Sequence, residues 1–301
     1  MAKIALGLEQ ALAERALNGC AGGIRGNTLA KGDGWRVRDV ICTSGPRDRC
    51  FEERHSNVSI AIVTAGSFQY RSDGGHELMT PGSLLLGAPG QYFECGHEHG
   101  TGDRCLSFQY TPEHFESLAA GVKGCRRSGF RMLRLPALRP LAPFIARACG
   151  GMVRPECVNW EEFSITLAAE TIRLTEGLSS DPYNPPPGAL ARVTRAIRTI
   201  ERDAARELTL GTLARTAGLT PYHFLRTFQT LTGLTPHQYV SRTRLREAAV
   251  RLGSESGKIL DVALDCGFGD VSNFNRAFRA EFALSPRAFR RGLAPVPARP
   301  A

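Results

Sequence analysis

The sequence predicts an α+β chain in two parts, a β-barrel or jelly roll with trailing helices followed by an all-helical C-terminal domain. Three observations carry this reading. Between Trp35 and Tyr110, short alternating apolar runs are broken by Gly and Pro turns, the texture of a small barrel or jelly roll. A stiff stretch, Asp181-Pro-Tyr-Asn-Pro-Pro-Pro-Gly188, then marks a linker. Beyond it, residues 220–236 and 270–286 are two copies of one helical pattern at an offset of 50. Residues 1–180 are therefore assigned to the first domain, 181–189 to the linker, 190–292 to the helical domain and 293–301 to a disordered tail.

In chain order, Leu6, Leu12 and Leu17 suggest a short helix over residues 1–18, and Gly-rich sequence follows to Gly34. Strands are expected at Arg36–Ile41, Val58–Ala65, Ser67–Arg71, His76–Met79, Ser83–Leu86 and Arg104–Tyr110. Ala65-Gly66, Asp73-Gly74-Gly75, Pro81-Gly82, Pro89-Gly90 and Gly100-Thr101-Gly102 supply turns between them. Helical spacing follows over 112–120, 136–149 and 159–177. The last segment carries Trp160, Phe163, Leu167 and Leu174, widened by Ile165 and Ile172. Two apolar faces on one helix make it the expected seam of a homodimer.

In the C-terminal part, Val193, Ile197 and Ile200 recur at helical spacing within Leu190–Arg202. Thr209 or Thr212 can cap a short helix that stops at Gly218. Thr220–Leu231 and Asp270–Phe282 are the repeated helices. At the fixed offset Thr220 pairs with Asp270, Phe224 with Phe274, Arg226 with Arg276, Phe228 with Phe278 and Pro236 with Pro286. Aromatics at i and i+4 share one face, so each copy is anchored inward and holds an Arg outward. Thr235-Pro236-His237-Gln238 is a capping box with Pro at the first helical position, opening a long helix to about Leu252. A short helix around Ile259, Val262 and Ala263 precedes the second repeat, and Pro286–Arg291 closes the domain. Helix, glycine turn, helix, present twice, is a tandem helix-turn-helix layout.

Charge is divided unevenly. Residues 188–292 hold 17 Lys plus Arg against 9 Asp plus Glu, a net of +8, whereas residues 1–187 hold 20 of each. A basic unit on a neutral remainder is the electrostatic footprint of a phosphate-binding surface, and double-stranded DNA is the repeating polymer that two matched helices would suit. No apolar run reaches membrane-spanning length, and the N-terminus lacks an export-signal pattern, so a cytoplasmic protein is expected. Nine scattered cysteines without a CxxC pair read as reduced thiols. GxxxxGK[ST] and GxSxG are missing, and no catalytic set is singled out.

Residues 208–291 resemble the tandem helix-turn-helix domain of the AraC/XylS family of bacterial transcriptional regulators. The first half is carried by Leu213-Ala214, Ala217-Gly218-Leu219-Thr220, Phe224 and Phe228, and the middle by Gly233-Leu234-Thr235-Pro236, Tyr239, Arg244-Leu245 and Ala248. Ile259, Val262-Ala263, Gly267-Phe268, Phe274, Phe278-Arg279, Phe282, Ser285-Pro286 and Phe289-Arg290 carry the second half. The resemblance implies a cupin-like N-terminal domain that binds a small effector, a transcription activator's contact with RNA polymerase, and groove-reading residues on the early turns of both repeated helices. Transferred to this chain, those residues are Tyr222, Leu225 and Arg226, then Val271, Ser272, Asn275 and Arg276. Helical geometry adds Gln229, Asn273 and Arg279 to the exposed faces. Arg and Asn can make bidentate contacts with guanine and adenine edges, while Leu225 and Val271 could touch thymine methyls. The long helix, roughly 25 Å at 1.5 Å per residue, could set the two readers about one duplex turn apart, near 34 Å.

The N-terminal part offers two further sites. Alternation points Ile60, Ile62, Leu84, Leu86 and Phe108 toward a barrel interior where an apolar effector of unknown identity could sit. Cys95-Gly96-His97-Glu98-His99 and Asp103-Arg104-Cys105 bring metal-ligating types together, with His97, His99 and Cys105 as the candidate ligands. A structural loop, or a thiol-reactive sensor, are the competing readings of that segment, and no cofactor is otherwise expected. An effector-responsive regulator without catalytic activity is the leading functional class. A DNA-acting repair enzyme of the alkyl-transfer kind would need a cysteine cluster of its own, and a cupin-type metalloenzyme would need the metal.

Overall fold

The computed structural model describes residues 3–50, 52–122, 129–176, 178 and 185–292. After helix α1 (Lys3–Asn18) come β1 (Ile24–Gly32), β2 (Trp35–Cys42), β3 (Glu52–Arg54), β4 (Val58–Gly66) and β5 (Phe68–Ser72). β6 (Gly75–Met79), β7 (Leu84–Gly87), β8 (Tyr92–Gly96) and β9 (Asp103–Tyr110) follow, with β10 (Arg134–Leu135) after helix α2 (Pro112–Ala120). They form two antiparallel sheets, ordered β1-β2-β9-β4-β7-β10 and β3-β8-β5-β6. The mixed α+β class and the β-rich first domain are as expected.

Four strands escape the sequence reading. β1 is polar, Gly-containing and largely exposed, so it shows no alternation. Its hairpin signal was nevertheless present. Gly32 pairs with Trp35 across Asp33-Gly34, and Gly34 sits at φ 73°, the left-handed conformation that a two-residue turn requires. β3 and β10 span 3 and 2 residues and β8 spans 5, too short for a periodicity to emerge.

The register decides what each strand residue faces, and here the effector expectation is corrected. Ile60, Ile62, Leu84, Leu86 and Phe108 are fully buried, but they pack on the helical side of the large sheet with Trp160, Phe163 and Leu167. Their odd-numbered neighbours Ala61, Val63, Leu85 and Cys105 face the second sheet, against Phe68, Tyr70 and Met79. Because side chains alternate with a period of two, the residues chosen for the interior lie one register step from it. Both sides of the sheet are filled by packed side chains.

Helices α3 (Ala142–Val153) and α4 (Trp160–Glu176) cover that sheet. A short 3₁₀ turn at Arg139–Leu141 starts the segment expected as one helix over 136–149. α4 buries Trp160, Phe163, Ser164, Leu167, Ala168, Thr171 and Ile172. Its outer side carries exposed Glu161, Glu162, Thr166 and Arg173 around Ile165, which is 37% exposed. The two apolar faces expected of a dimer seam thus reduce to one, and that face is consumed by the chain's own core.

Residues 181–184 of the proline-rich linker and the tail 293–301 lie outside the described residues. The C-terminal part contains α5 (Ala189–Asp203), α6 (Leu210–Ala217), α7 (Pro221–Thr232), α8 (Pro236–Ser254), α9 (Ile259–Asp265), α10 (Val271–Phe282) and α11 (Pro286–Gly292). It has two cores. Val193, Ile197, Ile200, Leu213, Phe224 and Phe228 form the first, and Leu245, Leu252, Val262, Phe274, Phe278 and Phe289 the second.

These cores are not closed by the helical domain alone. Leu78 and Ala137 join the first, while Ala142 and Ala146 of α3 join the second. An adjoining side of α3, through Ile145, Ala148 and Cys149, belongs to the core of the large sheet. One short helix therefore serves both domains.

Candidate nucleic-acid interface

Each helix-turn-helix unit is built by local chemistry. In the first, the Thr209 side chain caps α6 by accepting from Thr212 N–H, and Thr220 caps α7 by accepting from His223 N–H. In the second, Asp270 caps α10 by accepting from Asn273 N–H at 2.7 Å. Between the units, α8 opens on the expected capping box, with Gln238 N–H donating to Thr235 Oγ1 at 3.2 Å and Thr235 N–H to Gln238 Oε1 at 3.0 Å.

The repeat in sequence becomes a repeat in exposure. Phe224, Phe228 and Leu231 are buried in α7, as are Phe274, Phe278 and Phe282 in α10. On the opposite sides Tyr222, Arg226 and Gln229 are exposed and Leu225 is half-buried; Ser272, Asn273, Arg276 and Arg279 are exposed and Val271 and Asn275 half-buried. All ten predicted groove-facing residues thus lie outside the aromatic anchors of their helices. Tilted ring pairs stiffen those anchors: the Phe224 and Phe228 centroids are 5.4 Å apart, as are those of Phe274 and Phe278.

The outward cations differ in their setting. Arg226 lies over the Tyr222 ring at 5.9 Å and donates to its hydroxyl at 3.4 Å. Arg276 donates to Asn273 Oδ1 at 3.1 Å, a polar pair on the first turns of α10.

The N-terminal domain grips both units at their other ends. Arg134 donates to the Thr232 carbonyl at 3.4 Å, and Arg139 to the Ala280 carbonyl at 2.7 Å, near the C-termini of α7 and α10. Arg242 of α8 pairs with Glu281 at 3.0 Å and also donates to the Ala137 carbonyl. Burial pushes the Glu281 carboxyl up despite the neighbouring arginines, and pushes the Arg242 guanidinium down. On the same helix Arg246 pairs with Glu201 of α5 at 3.1 Å. A cavity of about 770 Å³ opens between the domains, lined by Leu8, Thr64, Arg198, Glu201, Arg246 and Val250 among others.

The other predicted constellation is regrouped. His97 is buried, and its Nε2 lies 2.7 Å from Asp103 Oδ2, whereas its partners include neither His99 nor Cys105. Cys42, unremarked in the sequence, joins them: donor atoms of Cys42, His97 and Asp103 all lie within 4.8 Å of one another. Cys105 instead donates to Asp103 Oδ1 at 3.4 Å. Burial disfavours the charged imidazole, but hydrogen bonds with Asp103 and Cys42 outweigh it and hold His97 at about 9. Only strand pairing could have revealed Cys42, since β2 and β9 place it directly opposite Asp103.

Two family models match the chain in succession. One, described as an AraC-like ligand binding domain, covers residues 39–158, and one described as a helix-turn-helix domain covers 213–292. The chain belongs to the AraC/XylS family. Among AraC/XylS relatives, it is similar to the HTH-type transcriptional activator RhaS of Salmonella arizonae, 30% identical over 165 residues, covering 54% of this chain and 56% of the relative. RhaS of an Enterobacter species is 34% identical over 119 residues, 40% of each chain. The match therefore spans about half the length of these curated relatives. Among solved structures, ToxT from Vibrio cholerae O395 aligns over 88% of this chain and 100% of its own, at 11% identity and a TM-score of 0.36.

Proposed function

We propose that this AraC/XylS-family chain is a sequence-specific DNA-binding transcription regulator of the cytoplasm, without catalytic activity, that is modulated by a small effector. The observation that carries it is the duplicated exposure pattern of α7 and α10. Two aromatic-anchored helices hold Arg226 and Arg276 outward at equivalent positions, on the part of the chain that holds the net positive charge. α8 connects the units with 19 residues, roughly 28 Å at 1.5 Å each, so α7 and α10 suit successive major grooves on one face of a duplex. An activator would also touch RNA polymerase, as the resemblance implies.

The effector is proposed to act in the cavity between the domains rather than inside the sheets. Its volume lies in the range of small-molecule sites, and its walls come from both halves. A ligand there can change DNA affinity only by favouring one arrangement of the two units over another. A protein–DNA footprint on a selected site tests this reading. Two protected major-groove segments about one helical turn apart on one face are expected. Protection of a single segment would remove the paired-reader reading.

A further inference from the structure

We infer that Cys42, His97 and Asp103 form a binding site for a thiophilic divalent metal ion of the zinc class. The fold itself assembles the site. β2 ends at Cys42 and β9 begins at Asp103, and the antiparallel register sets these two residues directly opposite each other. His97 follows the last residue of β8, so the second sheet delivers the imidazole to the same end of the sandwich. A thiol, an imidazole and a carboxylate thus converge from three segments of the chain.

The geometry fits one ion. Zinc binds thiolate sulfur at about 2.3 Å, imidazole nitrogen at about 2.0–2.1 Å and carboxylate oxygen at about 2.0–2.2 Å, which places neighbouring donors around a tetrahedral ion about 3–4 Å apart. The three donor atoms here lie within 4.8 Å of one another, so binding requires only small side-chain adjustments. All three residues are buried, at 5%, 3% and 6% exposure.

A plain histidine–aspartate pair leaves part of this arrangement unexplained. His97 Nε2 faces Asp103, but Nδ1 is buried with no hydrogen-bond partner, a costly state for an imidazole nitrogen. Such a pair also leaves the buried Cys42 thiol with only a weak thiol contact to the ring. Charge would balance in the bound state: a Cys42 thiolate and the Asp103 carboxylate would supply two negative charges for a divalent ion beside a neutral imidazole. Binding would release the Cys42 thiol proton and any proton on His97 that charges the ring. The mixed sulfur–nitrogen donor set selects zinc over magnesium or calcium. Cys105, donating to Asp103 Oδ1, would orient the carboxylate from behind.

The site adjoins the helical domain. His97 starts the loop to Gly102, and Arg198 of α5 donates to the His99 carbonyl in that loop at 3.4 Å. An ion holding His97 and Asp103 would therefore brace both ends of a segment on which α5 rests.

Cobalt titration of the untagged, reduced, full-length protein tests the site without reference to DNA, so its outcome is independent of the gene-control reading. One equivalent of Co²⁺ should bind with a thiolate-to-cobalt charge-transfer band that Zn²⁺ abolishes. Cys42→Ser should remove the band, and His97→Gln or Asp103→Asn should weaken binding about tenfold or more, while His99→Gln leaves it unchanged. A folded wild-type protein with no band, or a band that persists in folded Cys42→Ser, overturns the assignment. If Cys42→Ser does not fold, Cys95→Ser decides: retention of the band supports Cys42 as the thiolate, and its loss overturns the assignment.

Discussion

The two helix-turn-helix units share a scaffold and differ in what they present. Both have buried aromatics at matched positions, an oxygen-bearing N-cap and an outward Arg. Yet α7 offers Tyr222, Leu225 and Gln229 around Arg226, whereas α10 offers Ser272, Asn273, Asn275 and Arg279 around Arg276. Selection on packing acts on the inward face alone, so the outward face is free to diverge. The second unit carries more groups able to make paired hydrogen bonds with purine edges, and the first presents more apolar and aromatic surface.

Their anchorage differs too. The first unit closes its core with α5 and with Leu78 and Ala137, and the second with Ala142 and Ala146 of α3. Both are embedded in the N-terminal half, which predicts linked stability. Phe278 packs 4.5 Å from Phe282 and 5.4 Å from both Phe274 and Phe289, and Phe228 packs 5.4 Å from Phe224 and 5.5 Å from Tyr239. Phe278→Ala and Phe228→Ala should each cost about 3–5 kcal/mol in denaturant unfolding, and each should lower one shared transition. A separate early transition for only one unit would break the picture of two equally embedded cores.

The next effect concerns the outward faces. Arg276→Ala should weaken binding to a selected site by about 1–3 kcal/mol and relax preference at one base position. Arg226→Ala should cost about 1 kcal/mol or less, because Tyr222 already engages that guanidinium. Gel shifts on the site and its single-base variants would read both. An equal loss on every sequence would reassign Arg276 to a phosphate contact.

The smallest effect lies at the matched helix ends, both in the left-handed conformation. Gly233 closes α7 at φ 77° and Ala283 closes α10 at φ 58°. Ala283→Gly should stabilise by about 0.5–1 kcal/mol, since glycine adopts that conformation without strain. Gly233→Ala should destabilise by about 1–2 kcal/mol, as its Cβ would also meet Pro136 Cβ at 2.7 Å. Thermal melts of the pair should move in opposite directions.

The helical half was readable because its signals are local. N-caps at Thr209, Thr220, Thr235 and Asp270 sit one residue before helices that start where expected, and the i, i+4 phenylalanines are buried. The β half was only partly readable. Strand positions could be found from alternation, but alternation cannot say which of two apolar sides faces helices and which faces a second sheet. Ile60 and Ala61 are both buried for different reasons. The candidate ligands regroup for the same reason: His97 clusters with Asp103 and Cys42, brought together by strand register, rather than with His99 and Cys105.

From its residues alone, the chain determined the helices, their caps, the duplicated anchors and the basic character of one third, because each depends on neighbours within a few positions or on plain charge count. Tertiary structure alone decided three things. α3 serves two cores, the proposed dimer helix spends its apolar side internally, and Cys42 stands opposite an aspartate sixty-one positions away. Each depends on strand register and on interdomain packing, long-range choices that no local periodicity encodes.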